Sequence, residues 1–187
     1  MKLAMYTPET SNWYALLNRA QVASDCYFNK NVENYLVYVL ACMSSGIDFV
    51  PGKGITGTDL IPVTKRESRL MSIRQIGEQS LVVTGLFPDY ANRTGIPLLY
   101  LMEKGRSAYS ELADACPNEF IYFYLGEHFV QVVDVLQKLG EICGDNHSID
   151  LLQAYELWQE TGSRHGWAVI HNNLGAFPAA AGSELQH

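Results

Sequence analysis

The chain has 187 residues, of which 48% are hydrophobic and 18% are charged. A chain of this length is expected to form one domain with a buried core. The formal net charge of -7, with only 13 Lys and Arg spread along the sequence, makes nucleic acid an unlikely main partner. The sequence contains neither an apolar run of about 18 residues nor an N-terminal apolar segment, so we expect a cytoplasmic protein without a membrane span.

Cysteine and aromatic content indicate the redox compartment of the protein and the character of its surface. The four cysteines, Cys26, Cys42, Cys116 and Cys143, are far apart and form no C-x-x-C pair. This usage predicts reduced, mostly buried thiols in a cytosolic protein. The low charged fraction and the 11 Tyr and 7 Phe predict that some apolar or aromatic surface remains for a partner.

Two helices are predicted in the first quarter of the chain, from about residue 12 to 25 and from about 32 to 45, because apolar residues recur there at helical spacing. The second, VENYLVYVLACMSS, is apolar on most sides, which indicates a central helix; its β-branched and aromatic residues leave a strand as the alternative.

A glycine-rich loop is predicted for residues 47–64, between the second and third helices. It contains Gly52-x-Gly54-x-x-Gly57, a spacing also found in dinucleotide-binding sites. Such a site needs a strand before the motif and a helix after it. Here a predicted helix precedes the motif and Pro62 follows it, so we expect a surface loop instead.

The chain is organised around residues 67–116, which we interpret as two helices joined by a compact turn. The first spans about 65–87 and begins with a capping box at Thr64 and Glu67, whereas the second spans about 97–116. Gly77 and Gly105 lie in the middle of the two apolar stripes. Because glycine inside a helix costs about 1 kcal/mol relative to alanine, we predict that the two helices cross closely near these glycines.

The C-terminal half adds one long helix over about 119–143 and another from about residue 150 to 161. Residues 164–177 could form a helical turn or an extended segment, and residues 176–187 are predicted to be a disordered tail. The sequence as a whole predicts an all-α fold: a single domain over residues 1–175, built as a bundle of about six helices.

Polar residues beside the apolar stripes of the two organising helices are the candidates for a site. If these helices pair, a polar pocket between them would be lined by Glu78, Glu103, Arg106, Tyr109 and His128. Structural hydrogen bonding between helices is the more frequent reason for such residues.

Metal, cofactor and catalytic sites are not predicted. A metal site in a bundle would use a Glu-x-x-His pair, whereas Glu127 and His128 are adjacent and their side chains diverge by about 100°. His165 and His171 are poorly spaced as joint ligands, and packing of Trp158 and Trp167 explains that region more simply. No G-x-S-x-G motif is present, and the spacing of the cysteines and histidines neither supports nor excludes a catalytic pair.

Three short runs, GEQSL at 77–81, GLFP at 85–88 and GRSAY at 105–109, together resemble a pattern in a family of uncharacterised bacterial helical proteins of similar length. The likeness covers about residues 69–112. It implies a bacterial chain that is complete in itself, and it carries no substrate, cofactor or site residue.

Two functions follow as hypotheses. The first is a cytosolic, non-enzymatic binding or regulatory module that acts through an apolar helical face, as a homodimer or with another protein. The alternative is a helical enzyme or small-ligand-binding protein with a polar pocket between the helices at 65–87 and 97–116.

Overall fold

The computed structural model describes residues 8–44, 66–144 and 149–174, and within these ranges every regular element is an α-helix. The predicted all-α class is therefore confirmed. The helices are α1 (Pro8–Ser24), α2 (Lys30–Ser44), α3 (Arg66–Leu86), α4 (Asp89–Thr94), α5 (Leu98–Ala115), α6 (Phe120–Glu127), α7 (Phe129–Cys143), α8 (Leu151–Thr161) and α9 (Arg164–Leu174).

The described ranges contain nine helices rather than the predicted six or so. The turn at 89–94 forms the short α4, the ambiguous C-terminal segment forms α9, and the long helix predicted over 119–143 is broken at His128. The predicted loop at 47–64, with its glycine motif, and the tail at 176–187 lie outside the described residues, as does the side chain of Glu67.

The break at His128 reflects a change of packing partner. Its backbone leaves the helical region (φ -107°, ψ 24°), while amide–carbonyl hydrogen bonds still bridge Tyr124 to His128 and His128 to Val132. The preceding α6 packs mainly on α5, whereas α7 packs on α1 and α3. Apolar periodicity continues through both helices, so the pattern alone could not reveal the change of direction.

Local capping residues set the ends of α7 and α8. Asp150 accepts a hydrogen bond from the Gln153 amide at 2.8 Å, and the Gln153 side chain accepts one from the Asp150 amide at 3.2 Å. This capping box begins α8. Left-handed Gly144 and Gly162 end α7 and α8, as is usual for glycine at a helix C-terminus.

The core lies around α3, which packs on α5 and on α7. From Gln79 to Leu86 every residue of α3 is buried, so its C-terminal half is enclosed on all sides. The helix α1 packs on α7, α2 packs on α1 and α6, and α8 and α9 form a helical hairpin that rests on α7. None of the helices in the described ranges is long and apolar enough to span a membrane.

Both predicted glycines lie where α3 meets α5. A Cβ atom at Gly77 would lie 3.0 Å from Cζ of Tyr109, and one at Gly105 would lie 2.7 Å from the Ser80 Cβ and from Cε2 of Phe129. The close contact is therefore confirmed, with one refinement: an aromatic ring packs against each glycine. The glycine of one helix is a notch that a side chain of a neighbouring helix fills.

Replacing Gly105 with alanine should destabilise the fold, because the new methyl group has to displace Ser80 of α3 and the buried ring of Phe129. We expect a loss of about 1–3 kcal/mol in the free energy of unfolding. Gly140→Ala is the matched control. Its Cβ would meet only Leu86 Cδ2, at 3.9 Å, so helix propensity should stabilise it by up to about 1 kcal/mol. Urea unfolding of both variants measures the change in the free energy of unfolding. Equal changes in the two variants would contradict a tight contact at Gly105.

Candidate functional site

The structure brings Glu78 and Tyr109 together, two of the five residues predicted to line a pocket between the organising helices. Tyr35 of α2 connects them: its hydroxyl donates to Glu78 Oε1 at 3.0 Å and lies 3.3 Å from the Tyr109 hydroxyl. Arg74 Nε donates to the same Glu78 oxygen at 2.8 Å. These four side chains form a polar network that joins α2, α3 and α5.

The other three predicted residues lie outside this network. Glu103 and Arg106 are on the exposed face of α5. His128 is also exposed, at the junction of α6 and α7, where its ring packs 4.3 Å from that of Tyr124.

The network has the character of a structural cluster. Burial is the main cause that raises the pKa of both Tyr35 and Tyr109, so these hydroxyls remain protonated. The rings of Tyr35, Tyr109 and Tyr122 pack together at centroid distances of 6.3–6.5 Å, and the Arg74 guanidinium lies 5.7 Å from the Tyr35 ring centre. A ring-filled interior with a paired carboxylate holds helices together, and it leaves little room for a substrate.

Removing the Tyr35 hydroxyl tests this structural role. Tyr35→Phe takes a hydrogen-bond partner from the fully buried Tyr109 hydroxyl and from Glu78, and should cost about 1–3 kcal/mol of unfolding free energy. Tyr100→Phe is the control, since Tyr100 is exposed and its change should stay within about 0.5 kcal/mol. Chemical denaturation compares them. If the Tyr35→Phe protein is as stable as the control, the network does not contribute measurably to the free energy of unfolding.

A second polar group lines a cleft of about 310 Å³ between the C-terminal end of α1, the middle of α7 and the first turn of α9. The polar side chains on its walls include Cys26, Gln131, Asp134, Lys138, Arg164 and His165. They come from three distant parts of the chain.

Asp134 fixes one wall of this cleft. It is buried in α7, and its Oδ1 accepts from the Ser163 hydroxyl at 2.5 Å while Oδ2 accepts from the Arg164 amide at 2.8 Å. Ser163 Oγ also accepts from the Gly166 amide at 2.9 Å, which caps α9. Burial raises the pKa of the Asp134 carboxyl, and the hydrogen bonds from Ser163, Arg164 and His165 oppose that rise. Asp134 therefore anchors the start of α9 on α7.

His165 follows in the same turn and is almost fully buried. Its Nε2 lies 3.5 Å from Glu141 Oε1, and Lys138 donates to the other oxygen of Glu141 at 2.7 Å. Burial lowers the pKa of His165, and the nearby Glu141 and Asp134 carboxylates partly oppose this shift. The fold thus favours a neutral imidazole at this position.

The thiol of Cys26 also lines the cleft. Burial is the largest influence on Cys26, and it raises the pKa of the thiol, which reduces the reactive thiolate. In the described ranges no group of three or more His, Cys, Asp or Glu residues could hold a metal ion. All four cysteines are free; three are half-buried and Cys143 is exposed, so burial is less complete than predicted.

A third feature is an exposed row of rings along the α8–α9 hairpin. Ring centroids are 6.2 Å apart for Tyr155 and Trp158, 5.0 Å for Trp158 and Trp167, and 6.0 Å for Trp167 and His171. Leu151 lies one turn before Tyr155 on α8. These five residues are hereafter called the aromatic face. Tyr155, Trp158 and Trp167 are 40–49% exposed, so pairing of the two tryptophans does not bury them.

No protein-family model, curated protein or solved structure matches the chain. The resemblance to a bacterial family therefore stays a prediction, and the cleft and the aromatic face have to be interpreted from their own chemistry.

Sequence reasoning missed both of these features as sites. One signal for the cleft was present: Asp134 is the single charged residue in the apolar run VVDVL, and a carboxylate in such a run needs a partner. Its partners are 29 and 30 residues away, at Ser163 and Arg164, so spacing could not identify them.

The lowered pKa of His165 predicts how stability depends on pH. Below the ordinary value of 6.5 the unfolded chain takes up a proton that the folded protein resists. Stability should therefore be fully present above this pH and should fall as pH decreases toward the lower pKa of the folded state. His165→Gln should remove this component. Unfolding free energies measured between pH 5 and pH 8 test it.

His171→Gln removes an exposed imidazole from the same helix and is the control. If the wild type and the His165→Gln protein differ by a constant amount across this pH range, His165 does not contribute to the slope.

Proposed function

We propose that the protein is a cytoplasmic, non-enzymatic binding module that acts as a homodimer through the aromatic face. The observation that carries this proposal is the row of four adjacent rings left exposed on two helices. Large exposed apolar patches on soluble proteins usually mark interaction sites. Four free cysteines support a reducing compartment.

The extent of the face supports a protein partner. Aromatic side chains present about 150–250 Å² each, so half-exposed side chains at five positions offer roughly 500 Å². Two such faces would bury roughly 1,000 Å², near the lower limit of specific protein interfaces. A twofold axis through the face would bring the same patch of each subunit together and place two hairpins against each other as four helices.

The hairpin is a firm support for such an interface. The capping box of Asp150 and Gln153 begins α8, left-handed Gly162 makes a short turn, and Asp134 holds the start of α9. Rings on a fixed platform lose little conformational freedom on binding, which favours affinity.

The alternative is a small-ligand-binding protein, and a different observation favours it. The polar pocket was predicted between α3 and α5, where Tyr109 and Phe129 fill the glycine notches. A polar cleft of about 310 Å³ instead lies between α1, α7 and α9. Ligand binding is therefore proposed for that cleft.

Placing a charge in the aromatic face should weaken the dimer. Trp167→Glu removes a half-exposed ring and would bury a carboxylate at the centre of the interface, a cost of several kcal/mol or more. We expect at least a roughly tenfold increase in the dimer dissociation constant, equivalent to about 1.4 kcal/mol, measured by analytical ultracentrifugation.

Phe123→Glu is the matched control, because Phe123 is 53% exposed but lies on α6. The control should associate like the wild type. A wild-type chain that sediments as a monomer at high micromolar concentration would contradict the homodimer, as would a dimer that Trp167→Glu leaves intact.

A further inference from the structure

We propose that the cleft between α1, α7 and α9 binds a small anion, with a carboxylate or phosphate group held by Arg164 and Lys138. This site is separate from the aromatic face and goes beyond the proposed dimer.

The two carboxylates beside the cleft already have donors within the protein. Asp134 Oδ1 accepts from Ser163 and Oδ2 from the Arg164 amide, whereas Glu141 Oε2 accepts from Lys138 and Oε1 faces His165. The amides of the first turn of α9 are also used, by Asp134 and by Ser163. A ligand rich in donors would find few open partners here.

Several hydrogen-bond donors on the walls of the cleft remain available for a ligand. Within the described chain no carboxylate pairs with the Arg164 guanidinium, which offers five N–H groups. Lys138 uses one of its three N–H groups on Glu141. Gln131 adds an amide on the wall formed by α7. Two cationic donors beside carboxylates that are already hydrogen-bonded match an anion, and a guanidinium can hold a carboxylate or phosphate with two parallel hydrogen bonds.

His165 gives an independent indication. It is only 9% exposed, it lines the cleft, and its Nε2 lies 3.5 Å from the Glu141 oxygen, which is long for a hydrogen bond. A buried imidazole held at this distance retains capacity to bond a ligand in the cleft.

The size of the cleft limits the ligand. Its volume of about 310 Å³ is at the lower end of small-molecule sites, and Ala23 and Ala168 leave space between the polar walls. A small carboxylic acid or phosphate compound fits this space, whereas a dinucleotide does not.

Calorimetric titration of the full chain with sodium phosphate and, separately, sodium succinate tests the proposal, with sodium chloride at matched ionic strength as the reference. We expect saturable binding of at least one anion. Arg164→Gln should weaken it roughly tenfold or more, as expected for loss of a charged hydrogen-bonding pair, and Lys138→Gln should weaken it as well. Arg93→Gln, an exposed change on α4, should stay within about twofold of the wild type.

Arg164→Lys separates charge from geometry. It keeps the charge but loses the two parallel hydrogen bonds, so its affinity should lie between those of the wild type and Arg164→Gln. Binding of phosphate alone or of succinate alone supports the site and identifies the anionic group.

No saturable binding of either anion, or equal affinities of the Arg164→Gln and Arg93→Gln proteins, would overturn the proposal. Trp167→Gln distinguishes this site from the dimer. It removes the ring without placing a negative charge one turn from Arg164, so it should leave anion affinity unchanged even where it weakens association.

Discussion

The contact at Gly105 is the constraint on which the rest of the bundle depends. Three helices meet there, because the notch of α5 receives Ser80 from α3 and the buried ring of Phe129 from the first turn of α7. A methyl group at this position would separate all three. Since α1 and α9 pack on α7, the place of α7 in this notch also sets theirs. Packed interiors transmit such small changes because they contain few voids.

Asp134 connects the packed core to the surface features by fixing the start of α9 on α7. The helices α8 and α9 have 11 residues each, a length at which isolated helices are marginal in water. Their stability therefore comes from packing on each other and from their attachment to α7. The Asp134 carboxylate supplies a directional part of that attachment through three donors at the start of α9, and so it positions both Arg164 in the cleft and Trp167 in the aromatic face.

Local and periodic features of this fold could be predicted from the sequence, whereas features that depend on distant partners could not. The stripe of α5, the cap at Asp150 and the end of α7 at Gly144 all follow from residues a few positions apart. The close contact of α3 and α5 was indicated by a glycine in each apolar stripe, although its partners lie far apart in the sequence. The break at His128 lies inside an uninterrupted apolar pattern. The partners of Asp134 come from another helix, and the Tyr35 hydroxyl reaches Glu78 from 43 residues away. Spacing contains no information on such pairs.

The location of the proposed sites follows from the same physics. Tyr109 and Phe129 fill the junction of α3 and α5, where a pocket was expected. Of the five residues predicted to line it, only Glu78 and Tyr109 belong to the network between the helices, whereas Glu103, Arg106 and His128 are exposed. Exposed rings and unpaired donors remain instead on α9, the last described helix, which contacts the core only through one side. Its buried side, with His165 and Gly166, attaches it to the body. Arg164 and Trp167 lie one turn apart on its exposed side, so the proposed anion site and the proposed dimer face occupy neighbouring parts of one short helix.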